Sequence, residues 1–241
     1  YNIWNNSMTV TYEDIVKARE TQSDVIRKTS LEFSDTFSKL CDANVYLKNE
    51  YEQKTGSFKI RGAYYKIKSL TDAEKSKGVV AASAGNHSQG VAFASQIEKI
   101  PCTIVMPKTA SPAKVAATKG YGAKVVLEGI TYDESWAHAQ KIAKETGATI
   151  IHAFDDPYVI AGQGVIGLEI IEDLPDLDEI YVPIGGGGLI AGIITAIKEK
   201  NPNVKIIGVE SSAYPAMKMS LENDTLETVD GKMTIADGIS V

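Results

Sequence analysis

Between residues 79 and 209, short apolar runs alternate with longer stretches whose apolar positions recur every three or four residues. The short runs, at 79–82, 102–105, 124–127, 149–152, 179–182 and 205–209, have the length and β-branched content of buried strands. The longer stretches, at 87–97, 112–120, 132–145, 159–174 and 189–200, have the period of helices with one apolar face. Their ends carry the expected punctuation. Pro112 sits in a first turn, Gly147 follows a last one, and Pro175 and Pro202 stop the two late helices. Apolar strands separated by amphipathic helices predict a parallel sheet covered on both faces, hence an α/β fold. Upstream, Thr11 with Asp14 three residues on opens a short helix, 44–48 reads as a strand and 61–69 as a helix. There is no internal repeat and no low-complexity segment.

Composition narrows the class. The chain has 241 residues, 44% of them hydrophobic, which suffices for one large or two small cores. With 31 acidic against 25 basic residues the net charge is -6, and no basic cluster stands out, so nucleic acid is excluded as the expected partner. Cys41 and Cys102 are too few for a disulfide framework, and reduced thiols in the cytoplasm are the default. No apolar run reaches spanning length and no signal peptide opens the chain, so no membrane association is expected. The opening YNIWNNS, residues 1–7, reads as a remnant outside the fold.

Three stretches carry candidate chemistry. Thr55 to Ala63 reads TGSFKIRGA and places Lys59 between Phe58 and Ile60, behind a Gly-Ser turn and ahead of helical spacing. A lysine held at such a junction is partly desolvated, which lowers its pKa and suits it to nucleophilic or Schiff-base chemistry. Alone this is a weak signal, because most lysines are surface charges. Ala82 to Gly90, ASAGNHSQG, follows one strand, and Ile180 to Ile194, IYVPIGGGGLIAGII, sets four glycines between a strand and a helix. Backbone N–H groups of such a loop close on a phosphate, and the helix N-terminus adds favourable partial charge. A flexible linker would have polar flanks, and a dinucleotide fingerprint would open the first βα unit; neither description fits.

Lysine in SFKIRGA, asparagine in SAGNH and the tetraglycine GGGGL, in that order, resemble the fold type II pyridoxal 5'-phosphate (PLP) enzymes. The similarity is greatest to the threonine (serine) dehydratases and the related serine racemases, and runs from about Ile15 to the last residue. It implies a tryptophan synthase β-like architecture of two open parallel-sheet α/β domains with the cofactor between them. Residues 8–51 plus 151–241 would form the large PLP-binding domain and residues 52–150 the small one. The resemblance implies that Lys59 holds the cofactor and acts on the substrate Cα proton, that Phe58 flanks the ring, and that Asn86 hydrogen-bonds the ring's phenolic oxygen. Gly185, Gly186, Gly187, Gly188 and Leu189 would take the phosphate, and Gly238 in TIADGIS would lie beside the cofactor. Ser83, Ala84, Asn86 and His87 are expected to receive the substrate carboxylate. A helix-capping role for Asn86 is compatible with this, and His138 and His152 read as ordinary helix and strand residues.

The implied reaction is deamination of L-threonine to 2-oxobutanoate and ammonia, with L-serine to pyruvate as a side activity and a small amino acid as the only partner besides further copies of the chain, in a dimer or tetramer. Serine racemase is the alternative. Relatives that racemise serine carry a serine where this chain has Ala84, and alanine cannot donate a proton. The cysteine-forming β-replacement enzymes show a Thr-Ser-Gly-Asn-Thr type loop in place of SAGNH. Relatives with a divalent metal pair a glutamate at the position of Glu210 with an acid where this chain has Ala216, so no metal is assigned. Ser30 departs from the family's Thr-Pro-Leu turn. The sequence ends soon after TIADGIS, where the relatives continue with a residue facing the pyridine nitrogen. The expectation is a large domain incomplete at its C-terminus or, as a second reading, a folded fragment that binds the cofactor weakly and turns over little.

Overall fold

The computed structural model describes residues 9–240, so the reading of residues 1–7 as a remnant falls outside the described residues. Helix α1 (Tyr12–Gln22) opens with a reciprocal cap: Thr11 accepts from the Asp14 N–H, and the Asp14 carboxylate accepts from the Thr11 N–H. Strand β1 (Leu31–Phe33), helix α2 (Asp35–Cys41) and strand β2 (Tyr46–Lys48) follow, and a 3-10 turn at Glu50–Glu52 leads to α3 (Lys59–Lys68). β1 and β2 pair antiparallel, Leu31 opposite Lys48 and Phe33 opposite Tyr46. This small antiparallel ladder adds to the expected all-parallel plan. Ser30, just before β1, donates from both its N–H and its Oγ to the Glu52 carboxylate at 2.9 Å. A proline there would have neither donor.

Next come α4 (Asp72–Lys77), β3 (Val79–Ala82), α5 (Asn86–Glu98), β4 (Cys102–Met106), α6 (Pro112–Gly120), β5 (Lys124–Leu127), α7 (Tyr132–Thr146) and β6 (Thr149–Ile150). Their strands form one parallel sheet in the order β5-β4-β3-β6. β3 sits inside that sheet and is buried at every position. Val79 and Ala81 pack with Ile60 of α3 and Val91 of α5 on one face, and Val80 and Ala82 pack with Ala139 of α7 on the other. A strand covered on both faces has no polar side, which is why VVAA shows no alternation.

The chain closes with α8 (Pro157–Asp173), β7 (Glu179–Pro183), α9 (Gly188–Lys200), β8 (Lys205–Val209) and α10 (Ala216–Asn223). β7 and β8 pair in parallel, Glu179 opposite Lys205. Val182 and Ile206 of this pair pack on Ile166 and Ile170 of α8 and on Ile193 and Ile197 of α9. The sequence pattern passes over α2, α4 and α10, and none of the three buries a residue. A helix without a buried face imposes no apolar period on its sequence.

Helix α3 is clamped between α5 and α8. A methyl group on Gly90 of α5 would lie 3.1 Å from the Lys59 carbonyl carbon, and one on Gly162 of α8 would lie 2.7 Å from the Gly62 Cα. Arg61, wholly buried, pairs with Glu50 at 2.8 Å and with Glu169 of α8 at 2.6 Å, and Lys48 reaches Glu169 at 2.6 Å. Two acids thus face two bases in a low-dielectric site, where losing one partner strands a charge.

Candidate active site

The turns after β3, β6 and β7 meet the start of α3 around a cavity of about 320 Å³. Its wall includes Phe58, Lys59, Ser83, Ala84, Asn86, His87, Gly185, Gly186, Gly187, Gly188, Leu189 and Gly238, so the chain brings every sequence-nominated position together. Parallel α/β sheets place their ligand crevices at the carboxyl ends of the strands, and these turns lie there.

Lys59 is the first residue of α3. Its Nζ donates to the Ala153 carbonyl at 2.8 Å and sits 5.3 Å from the Phe58 ring centroid. The side chain lies in the wall of the cavity, and burial lowers its pKa from 10.5 to about 8. An appreciable fraction of neutral, nucleophilic amine is therefore present near neutral pH.

The SAGNH turn resolves into separate jobs. Gly85 is the N-cap of α5 and Asn86 its first residue, with an exposed side chain that caps nothing. Ser83 Oγ accepts from the Gly85 N–H at 3.1 Å and shapes the turn. His87 is buried, and its Nε2 lies 2.9 Å from the Ile151 carbonyl, so Nε2 carries the proton. Burial, with the nearby Lys59 charge, pushes its pKa down to about 3. The neutral ring pins α5 to the end of β6. The expectation that His87 helps receive a carboxylate therefore reduces to its backbone N–H, because Nδ1, which has no partner among the described residues, is an acceptor in this tautomer and cannot donate to a carboxylate.

The tetraglycine supplies a cradle. Gly187 is the N-cap of the 13-residue α9, adopts φ +85° and leaves the helix N-terminus without a side-chain cap. A methyl on Gly186 would strike the Phe154 ring at 2.3 Å, and one on Gly188 the Phe154 carbonyl at 2.5 Å. Only glycines allow this backbone to lie so close to the loop that carries Ala153 and Phe154. An uncapped helix N-terminus beside a glycine loop fits a phosphate group, and a desolvated lysine in the same cavity fits an aldehyde-bearing cofactor.

Sequence reasoning missed several lining residues. Tyr132, Ala153, Phe154, Gln163, Pro183 and Asp237 all border the cavity. Tyr132 stacks with Trp136, which meets His152 edge-on at 5.2 Å, and His152 meets Phe154 at 4.7 Å. His152 Nδ1 accepts from the Asp155 N–H at 2.8 Å and so shapes the loop, a structural role consistent with an ordinary residue. No spacing rule links these positions, which lie on five separate segments. Glu210 does not face the cavity wall; its carboxylate accepts from the Met217 and Lys218 N–H groups at 2.9 and 2.8 Å and caps α10. Among the described residues no cluster of three metal-ligating side chains occurs, and no helix is long and apolar enough to cross a membrane.

Residues 22–241 match the family described as pyridoxal-phosphate dependent enzyme. The chain belongs to this family. The L-threonine ammonia-lyase of Thermotoga maritima is 53% identical over 232 residues, which cover 96% of this chain and 58% of that protein. Among solved structures, the processed threonine deaminase isoform 2 of Solanum lycopersicum superposes with a TM-score of 0.91 at 42% identity, over 95% of this chain and 64% of that one. Maize serine racemase superposes with a TM-score of 0.94 at 34% identity, over 97% and 71%. The chain thus spans little more than half the length of the Thermotoga relative. As a member of the pyridoxal-phosphate dependent enzymes, it has the fold type II α/β architecture and uses pyridoxal phosphate as its cofactor.

Proposed function

We propose that this protein is a threonine ammonia-lyase, converting L-threonine to 2-oxobutanoate and ammonia, with L-serine to pyruvate as a side activity. The observation that carries the reading is the convergence of a desolvated lysine, Lys59, and an uncapped glycine-rich helix start, Gly185 to Leu189, on one cavity. The 53% identity to an L-threonine ammonia-lyase supports the choice of substrate.

In this reading Lys59 would hold the cofactor through Nζ, with Phe58 and Asn86 as the residues at its ring. The backbone of Gly185, Gly186, Gly187, Gly188 and Leu189 would hold the phosphate, with Gly238 alongside. When bound, the cofactor supplies an electron sink for the charge left on Cα. Lys59 Nζ, as the neutral amine, would take the substrate Cα proton. That ammonium then stands as the acid for the departing β-hydroxyl, so the proton is handed on and water leaves. Hydrolysis returns the water and releases ammonia, so the net change is loss of ammonia from threonine. Ser83, Ala84 and the opening N–H groups of α5 receive the substrate carboxylate. Racemisation needs a second acid/base besides the lysine, and Ala84 offers none.

The division into a small domain at 52–150 and a large domain at 8–51 plus 151–241 belongs to the same proposal. The four-stranded sheet, from Val79 to Ile150, and the β7-β8 pair fall on opposite sides of the later boundary. The exposed Phe33, Phe37, Leu40 and Leu47 around the β1-β2 ladder support assembly as a dimer or tetramer, and the free Cys41 and Cys102 support a cytoplasmic setting.

The test is an absorbance spectrum with added PLP, before and after L-threonine, alongside a keto-acid assay. A visible cofactor band that changes with threonine as 2-oxobutanoate accumulates is the expected result. Turnover by Lys59→Ala at the normal rate would sink the proposal.

A further inference from the structure

Helix α3 begins without a cap of its own. Its N-cap is Phe58, whose side chain accepts no hydrogen bond, although the first turn of any helix has unpaired N–H groups to satisfy. The Arg61 N–H folds back to the Phe58 carbonyl at 3.0 Å, a tight i to i−3 contact. The next N–H, that of Gly62, meets an acceptor from elsewhere: Gln163 Oε1 of α8, at 3.1 Å and 101 residues away. Gln163 is 1% exposed, and a methyl on Gly62 would lie 2.6 Å from its Nε2. The carboxamide is therefore seated against the turn that follows Lys59 and also borders the cavity. Its orientation is set by the contact, because an amide N–H can only be met by the oxygen end. Among the described residues Gln163 Nε2 reaches no acceptor, so the side chain engages α3 through one end only.

We infer that Gln163 is a positioning residue for Lys59: by accepting the Gly62 N–H it caps α3 from the neighbouring helix and holds the lysine amine at the Ala153 carbonyl inside the cavity. The inference rests on the reading of Lys59 as the cofactor lysine. Gly90 and Gly162 set how closely α5 and α8 approach α3, but neither supplies a polar contact to its first turn. Arg61 secures the same helix on its far side, through Glu50 and Glu169. Without the Gln163 acceptor the first turn has an unpaired buried N–H, and its cheapest relief is to fray toward solvent and carry Lys59 with it.

The experiment is competitive acetylation of the cofactor-free protein as a function of pH, with each lysine quantified by peptide mass spectrometry. In the unaltered protein Lys59 should titrate with a midpoint of about 8. In Gln163→Leu, which removes the acceptor at similar volume, the midpoint should rise by a unit or more and Lys59 should label several-fold faster at saturating pH, with the exposed Lys141 and Lys218 unchanged. Gln163→Glu keeps an acceptor oxygen for the Gly62 N–H and should return the Lys59 labelling rate at saturating pH to that of the unaltered protein. A Lys59 midpoint in Gln163→Leu that stays at the unaltered value while the melting temperature falls would show mere packing and overturn the inference. Should Gln163→Leu not fold, hydrogen exchange in the unaltered protein decides. Slow exchange at the Gly62 amide supports the cap, and exchange as fast as an exposed first turn overturns it. The labelling needs no cofactor. A failed PLP titration of the unaltered protein therefore bears against the proposed function, whereas an unmoved Lys59 midpoint bears against Gln163.

Discussion

Lys59 Nζ donates to the Ala153 carbonyl at 2.8 Å, across 94 residues of sequence. This bond ties the start of α3 to the loop that packs on the tetraglycine, so the reactive amine and the phosphate cradle are built on touching segments. Burial lowers the lysine pKa to about 8, while the unfolded chain keeps the ordinary 10.5. The rate of cofactor capture by the apoprotein, followed by visible absorbance from pH 6.5 to 10, should therefore rise with a midpoint of about 8. Between these two values the unfolded state binds more protons than the folded one, so this group makes the fold more stable as pH rises through that window.

His87 acts with the same sign on the acid side. Its pKa falls from 6.5 to about 3 in the fold, so below pH 6.5 the unfolded chain takes up a proton that the folded one refuses. Stability is lost as pH falls through that range, at up to about 1.4 kcal/mol per pH unit. His87→Gln, which keeps a donor for the Ile151 carbonyl, should flatten the acid side of the melting temperature profile between pH 6 and 4. An unchanged slope would show that His87 is not the group responsible.

Arg61→Met should cost about 3–5 kcal/mol in urea unfolding, because it strands the Glu50 and Glu169 carboxylates in a buried site. Adding Glu169→Gln should recover part of the loss. Equal, additive losses in the double variant would count against coupling between the two side chains.

The glycine cradle separates binding from folding. Gly187→Ala forces a side chain into φ +85° and should cost about 1–2 kcal/mol of stability. Its larger effect should fall on cofactor affinity, with the dissociation constant from equilibrium titration rising at least tenfold. Gly162→Ala, remote from the phosphate cradle, should cost about 1–3 kcal/mol by forcing α3 off α8.

Ala84→Ser puts a hydroxyl at a cavity-wall position that here carries only a methyl group. D-serine formation from L-serine, measured by chiral chromatography, should rise from near zero. Fast D-serine formation by the unaltered protein would favour the racemase reading.

The alternation of apolar runs and amphipathic stretches was enough to place β3, β4, β5, β7 and β8 and the helices between them, because the strands are short runs of apolar residues packed at least in part against neighbours and the helices have a periodic apolar face. Lys59, Asn86 and the tetraglycine were legible for a different reason: each sits where a strand or turn gives way to a helix, and unusual backbone demands unusual residues. The reading of 44–48 as a strand met β2, but its short partner β1 and helices α2, α4 and α10 left no such trace, since their side chains are largely exposed. The remainder of the site belongs to the tertiary structure. Tyr132, Phe154 and Gln163 come from separate segments and reach the cavity only because α8 packs on α3 and the loop after β6 lies on the glycines. The lowered pKa of Lys59 and the neutral state of His87 were likewise decided there. Both are consequences of desolvation, which depends on what surrounds a side chain and not on its neighbours along the chain.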